Sequence, residues 1–338
     1  MGYRHVVLER FGGPENLVIK DIDAPIPAGA GQIGVRVLAA GMGFTDCIIR
    51  AGEYVQVKDK PPFTPGYDWY GVVEEVGDGV SDLQVGDYVA DLSVIGGYTE
   101  YLIADADRVV KAPQGLDPAE AVAMLLSYST AYQMLTRITP LHSGMTVLVH
   151  AAGGAVGTAL LDLCRHFDLR VLGTGSAAKK EVIESFGGIA IDYRHDSIPD
   201  SVRRHAPEGV DAVFDTLGGR SWRQSYPLLK RGGWLIGFGA LQANQKQESI
   251  PSLLLGFAQL LGVWRLIPDG RHSTFYNIQS RRETHPEEFK EDVQSLFALL
   301  KDRVLTPAIA HRVTLDQVPD VHRLLDRGDI AGKVAILM

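Results

Sequence analysis

Apolar and polar positions divide the chain into two kinds of pattern. Up to about residue 125, short β-branched and aromatic runs recur at 6–8, 33–38, 71–76, 87–90 and 98–103. Turn signals such as Gly77-Asp78-Gly79 and Val85-Gly86-Asp87 separate them, which predicts a compact β-rich domain without strand–helix alternation. From Pro118 the period changes. Residues 119–136, dominated by Ala and Leu, read as a helix. Apolar runs at 146–150, 169–174, 189–193, 210–215 and 233–238 then alternate with helix-spaced stretches at about 155–167, 177–186, 197–205 and 221–230. Runs such as Val210-Asp211-Ala212-Val213-Phe214 are nearly continuous in apolar residues, as suits strands buried on both faces. This half predicts an α/β doubly wound parallel sheet. Beyond Gly239 the pattern predicts a polar loop, an apolar helix at about 251–261, one more strand at 274–278 and an amphipathic helix over 286–301. Residues 308–313 and 334–337 return to strand character and are expected to rejoin the first domain.

The first strand of the alternating half leads into the stretch that carries the chemistry. Thr146-Val147-Leu148-Val149-His150 is strand-like, Ala151-Ala152-Gly153-Gly154 is a turn of small residues, and a helix starts at Ala155 with Val156, Leu160, Leu163, Cys164 and Phe167 at helical spacing. A strand, a small-residue turn and a helix start make a site for a dinucleotide pyrophosphate. The backbone can approach the phosphates, and the helix start offers free N–H groups and partial positive charge. In the G-x-G-x-x-G frame the positions are Ala152, Gly154 and Gly157, with Ala155 and Val156 between the last two. The ribose is read about 20 positions further on. There the chain has Gly173-Thr174-Gly175-Ser176, Lys179 and Lys180, with no carboxylate before Glu181, and Tyr193-Arg194 close the next strand. Hydroxyls and ammonium groups suit a 2′-phosphate, hence NADPH over NADH. The competing reading is that the lysines only solvate a helix face.

Composition narrows the partners. The chain has 338 residues, enough for two domains, and a net charge of −8. It has no basic block, which argues against nucleic acid. No signal-peptide pattern precedes residues 6–8, and the most apolar stretch, 253–264, is too short for a membrane span and is interrupted by Gln259. The two cysteines, Cys47 and Cys164, form no C-x-x-C. A cytoplasmic location is expected.

A series of short motifs then carries a resemblance. They are Phe11-Gly12-Gly13-Pro14-Glu15, Ala40-Gly41-Met42-Gly43-Phe44-Thr45-Asp46, Arg50-Ala51-Gly52-Glu53-Tyr54, Pro65-Gly66-Tyr67-Asp68, Val85-Gly86-Asp87, Gly97-Tyr98-Thr99-Glu100-Tyr101, Thr130-Ala131-Tyr132, the glycine turn, and Val210 to Asp215. In this order and spacing the chain resembles the zinc-independent quinone oxidoreductases of the medium-chain dehydrogenase/reductase superfamily, in the group containing the vesicle amine transport protein. The resemblance implies a GroES-like catalytic domain over residues 1–125, completed by 302–338, and a Rossmann NADP-binding domain over 126–301, with the active site in the cleft between them. It implies a homodimer formed through the Rossmann domains, with the strand at 274–278 as the pairing edge. It also assigns cofactor contacts. Phe44, Thr45 and Asp46 lie beside the nicotinamide, Thr130 faces its carboxamide, Phe238 and Gly239 border it, and Thr174, Ser176, Lys179 and Tyr193 take the 2′-phosphate.

Zinc-dependent members of the superfamily place a Cys in the segment matching Gly41 to Asp46 and a His-Glu pair after Pro-Gly. Here those places hold Gly43 and Tyr67-Asp68, and the four-cysteine lobe is missing. A metal-free site is expected. Without a Lewis acid, hydride transfer suits a conjugated acceptor, whose charge delocalises onto an enolate or phenolate oxygen. Tyr54 and Tyr67 are the candidate catalytic residues, either as proton donors or as apolar walls with protons taken from water. Asp68 suits a structural hydrogen bond or the orientation of a cleft group. Trp69, Tyr70 and Phe44 suit either a flat-substrate surface or the core. The family usually has Asn where this chain has Gly43. The expected activity is reduction of a small apolar or aromatic quinone, or of the C=C bond of an α,β-unsaturated carbonyl. The alternatives are an NADPH-binding protein with little turnover and a dedicated biosynthetic reductase.

Overall fold

The protein is described by a computed structural model covering residues 2–338. It forms two compact units, one of residues 2–129 with Glu287–Met338 and one of Thr130–Pro286. In chain order the strands of the first unit are β1 (Tyr3–Leu8), β2 (Leu17–Ile22), β3 (Gln32–Met42), β4 (Asp68–Val76), β5 (Tyr88–Asp91), β6 (Tyr101–Asp105) and β7 (Val110–Ala112). The second unit holds β8 (Thr146–Val149), β9 (Arg170–Gly175), β10 (Ile189–Asp192), β11 (Val210–Asp215), β12 (Leu229–Gly237) and β13 (His272–Phe275). The tail then adds β14 (Ile309–Val313) and β15 (Lys333–Leu337) to the first unit.

In the first unit, β1 and β2 pair as a hairpin, and the main sheet runs β14-β15-β3-β4-β5-β7, with β6 also on β3. The tail therefore returns as expected: Val334 to Leu337 pair antiparallel with Met42 to Ala39. Its apolar residues Val313, Val321, Val334 and Ile336 pack in one cluster with Val6, Leu8, Met42 and Tyr98. Each such burial contributes roughly 1.5–3 kcal/mol, so the last thirty residues are structural partners of the first forty. The helix α1 (Phe44–Ala51) follows β3 directly and ends on Gly52, whose φ of 78° closes it in the left-handed region.

In the second unit, the sheet is parallel and runs β10-β9-β8-β11-β12-β13 among the described residues. The order reverses at β8, so the end of β8 is the topological switch point where such sheets bind ligands. All four residues of β8 and all six of β11 are buried, which accounts for their continuous apolar runs. The structure thus shows the Rossmann doubly wound sheet and the GroES-like β-rich domain that the pattern and the resemblance implied.

Several boundaries differ from the pattern reading. The strand β2 was not expected, because its outward residues Lys20 and Asp21 break the apolar run; it forms by pairing with β1 in full register. The helix expected over 221–230 stops at Ser225, and β12 begins at Leu229, since Pro227 cannot continue the helical hydrogen bonds. The strand expected at 274–278 is His272–Phe275; Ile278 instead starts a helix capped by the Asn277 side chain, which accepts the Ser280 N–H at 2.9 Å. The helical stretch expected at 119–136 holds two π segments, Met124–Tyr128 and Met134–Ile138. The amphipathic helix Pro286–Lys301 belongs almost wholly to the first unit.

Candidate active site

The turn after β8 is built by hydrogen bonds from below. Ala152 N–H donates to Thr174 O at 2.9 Å, Gly154 N–H to Ala151 O at 2.9 Å, and Thr158 N–H to Gly154 O at 2.8 Å, which opens the helix Ala155–His166. Ala151 sits at φ 53°, a conformation that costs a non-glycine residue about 1–2 kcal/mol. The neighbours that hold it there were not foreseen from sequence. Ala151 N–H donates to Thr174 Oγ1 at 3.3 Å, Thr174 meets His150 Nδ1 at 3.1 Å, His150 Nε2 meets Ser225 Oγ at 3.0 Å, and Ser225 donates to Asp215 Oδ2 at 2.8 Å. Every atom of this chain is satisfied when Thr174 donates to Nδ1 and His150 carries its proton on Nε2. Ser221 and Leu217 N–H complete the shell of Asp215. The signal in the sequence was positional: His150 and Asp215 each close an apolar strand at the carboxyl end of the sheet.

The helix start has no side-chain cap. Its first-turn N–H groups therefore have no intrahelical partners, and Ala155 and Val156 are half-buried beside buried Gly157. Gly157 is obligatory: a Cβ there would lie 2.4 Å from Ala151 O and 2.6 Å from Ala152 O. The carbon stem of Lys179 lies over Gly153 and the end of β9, where a Cβ on Gly153 or Gly175 would meet it at 2.7 and 3.0 Å. Ser176 is half-buried and Tyr193 is exposed, with Tyr193 N–H donating to Gly175 O at 3.2 Å. Gly175 and Ser176 also line a cavity of about 200 Å³ with Lys180 and Ile183. Thr174 is put to a different use from the expected one. It is buried and its hydroxyl braces the turn, so it is not presented to a 2′-phosphate. Phe238 and Gly239 are half-buried beyond β12. Thr130 is buried with a hydroxyl that finds no partner, an orphaned polar atom suited to a ligand amide.

In the first unit, the expected tyrosines come together. Tyr54 and Tyr67 hydroxyls are 2.8 Å apart, and Tyr54 donates to Gln56 Oε1 at 2.7 Å. Tyr67 is buried and Tyr54 half-buried. Burial pushes both phenols above their ordinary pKa, so both are neutral donors at neutral pH. Phe44 and Thr45, at the start of α1, are half-buried. The Asp46 side chain is turned into the fold rather than toward an open surface. It is fully buried, and Oδ2 accepts the Gly43 N–H at 2.8 Å to cap α1. Burial raises its pKa to about 7, against the opposing pull of Lys333. Asp68 is structural: Lys333 Nζ lies 3.0 and 3.2 Å from its oxygens, and Leu126 N–H donates to it. Trp69 and Tyr70 are core residues, 1% and 0% exposed.

The donor set does not fit zinc. Cys47 Sγ lies 3.6 Å from His322 Nδ1, but the Arg50 guanidinium is 3.2 Å from that same nitrogen and also binds Asp326. Burial pushes the thiol up, away from the thiolate a metal needs, and a fixed cation already faces the imidazole. Tyr67 is held by Tyr54, and Asp68 by Lys333.

Residues 29–114 match the model of the alcohol dehydrogenase GroES-like domain and residues 188–336 that of the zinc-binding dehydrogenases. The synaptic vesicle membrane protein VAT-1 homolog of Danio rerio is 33% identical over 340 residues, covering 99% of this chain and 70% of that one. Human quinone oxidoreductase is 30% identical over 344 residues, covering 99% and 98%. Among solved structures, a mycobacterial protein complexed with NADPH superposes with a TM-score of 0.83 at 27% identity, covering 99% of this chain and all of that one. A parallel sheet with an uncapped helix at its switch point, a GroES-like sheet completed by the tail, and full-length identity of this level lead to one assignment: the chain belongs to the quinone oxidoreductase family of the medium-chain dehydrogenase/reductase superfamily.

Proposed function

We propose that this oxidoreductase uses NADPH to reduce a quinone, or the C=C bond of an α,β-unsaturated carbonyl, without a metal. The N–H groups of Ala155, Val156 and Gly157 are read as the pyrophosphate site, Ser176, Lys179 and Tyr193 as the 2′-phosphate site, and the Thr130 hydroxyl as the partner of the carboxamide. Phe44, Thr45, Phe238 and Gly239 are read as walls of the nicotinamide site. Bound there, NADPH supplies hydride. The NADPH complex of the mycobacterial relative supports this choice of cofactor.

The observation that carries the reading is the Tyr54–Tyr67 pair, two neutral phenols joined at 2.8 Å. Reduction of a conjugated acceptor leaves negative charge on its oxygen, and a positioned donor stabilises it. With Tyr67 donating to Tyr54, the mobile proton is that of Tyr54, the less buried of the two. Its hydroxyl turns from Gln56 to the acceptor oxygen. Since burial holds both phenols above their ordinary pKa, they act as hydrogen-bond donors, and water delivers the proton that completes the reduction. The test is a panel of quinones, enones and enals followed by loss of NADPH absorbance. NADPH is expected to be consumed faster than NADH, Tyr54→Phe to lower kcat about ten- to a hundredfold, and Tyr67→Phe to lower it less. Wild-type turnover in both variants returns the tyrosines to the role of walls. Tight NADPH binding without consumption on any acceptor leaves a nucleotide-binding protein instead.

We also propose a homodimer formed through β13. This strand ends the parallel sheet, and the nearby helix Ile250–Leu261 exposes Ile250, Leu254 and Leu255 by 63, 62 and 53%. An unpaired edge beside exposed apolar side chains invites pairing with a second copy. Sedimentation equilibrium is expected to give twice the chain mass, and a pure monomer would refute this.

A further inference from the structure

Among the described residues, Gly43 is the one glycine that the fold does not explain. Its backbone is extended, φ −153° and ψ −177°, a conformation open to any residue. A Cβ built on it meets no heavy atom within 4 Å, whereas every other glycine either has a positive φ or would strike a neighbour. Two residues earlier, Gly41 shows the contrast: a Cβ there would collide with Asp68 and Lys333. Gly43 is also the N-cap of α1, where Asn, Asp or Ser would stabilise the helix by a few tenths of a kcal/mol over glycine. Glycine further loses more backbone freedom on folding. The position thus forgoes the few tenths of a kcal/mol that a capping side chain would add, with nothing filling the space.

The space lies at the start of α1. Gly41 pairs with Asp68 where β3 meets β4, so Gly43, two residues after Gly41, and Tyr67, one residue before Asp68, leave the same end of that strand pair, and Tyr67 is hydrogen-bonded to Tyr54. The Asp46 carboxylate accepts the Gly43 N–H and so fixes the backbone at this end of α1. Phe44, the next residue, is half-buried. Resting on the acceptor reading above, we propose that Gly43 determines acceptor size: the room left by its missing side chain admits a flat, fused-ring acceptor. With no side-chain amide at 43, hydrogen bonding to the acceptor oxygen falls to Tyr54.

The experiment compares kcat/KM for a small and a fused-ring quinone, p-benzoquinone and phenanthrenequinone, in wild type, Gly43→Ala and Gly43→Asn, with melting temperatures alongside. If the wild type takes only enones, cyclohexenone and chalcone form the pair. The large-to-small ratio is expected to fall about tenfold in Gly43→Asn and less in Gly43→Ala, with melting unchanged or slightly raised. A ratio unchanged within about twofold in both variants overturns the inference while leaving the proposed activity standing. A melting temperature lowered by several degrees in both variants also overturns it, since the fold would then need the glycine. A wild type that reduces neither pair overturns the proposed activity, and this inference with it.

Discussion

Gly157→Val is expected to weaken NADPH binding at least about a hundredfold, equivalent to about 2.7 kcal/mol. The clash is with backbone, since the Cβ would lie 2.4 and 2.6 Å from the carbonyl oxygens of Ala151 and Ala152. Neither oxygen can retreat cheaply. Ala151 is already at φ 53°, pinned by Thr174 and, through it, by His150, while Ala152 N–H is held by Thr174 O. The helix Ala155–His166 must therefore move off the turn, and its first-turn N–H groups no longer converge on one phosphate position. Fluorescence titration with NADPH, together with the melting shift that NADPH induces, measures the loss. Far-UV circular dichroism is expected to retain the sheet, because the helix beyond its first turn still buries Leu160, Leu161 and Leu163. A variant with wild-type affinity would show that the cofactor does not rest on this turn.

Lys333→Met is expected to destabilise the first unit by about 3–5 kcal/mol, the cost of leaving a buried charge without its partner. The Lys333 and Asp68 side chains are 3% and 0% exposed, so the carboxylate left behind is buried. Asp68→Asn combined with Lys333→Met is expected to recover most of the loss, because no charge then remains to be buried. The deficit also depends on pH through Asp46. Its folded pKa of about 7 lies above its unfolded value, so the folded state holds a proton that the unfolded chain has lost. That contribution is full below about pH 4, declines as pH rises through 7, and is absent above it. Lys333 opposes the raised pKa, so its removal extends the declining range upward. Urea unfolding is expected to show a larger deficit at pH 8 than at pH 5. An equal deficit at both would show that Asp46 is not electrically coupled to Lys333.

The two halves of the fold were legible to different degrees. The parallel sheet was legible strand by strand, because β8 and β11 are buried on both faces and their apolar runs are unbroken. Missed strands such as β2 are stabilised by pairing rather than by an apolar run of their own. The tyrosine pair was found as two separate candidates. That they touch depends on the path from α1 to β4, which no local pattern records. Thr174 and Asp46 were read as ligand contacts because motif position says where a residue lies along the chain. It does not say which way the side chain turns.

By itself the sequence determined the α/β alternation, the small-residue turn at 151–157 between strand and helix, and the absence of the zinc-ligating residue types at their usual places. These depend on local period, on residue size and on which side chains are present. Only the tertiary structure decided that His150, Thr174, Ser225 and Asp215 brace the turn, that Lys333 neutralises Asp68 across 265 positions, and that Gly43 stands open while Gly41 and Gly157 are closely packed. The physical reason is common to all three. Buried polar groups must find partners wherever the fold puts them, and the space around a glycine is made by residues distant in sequence.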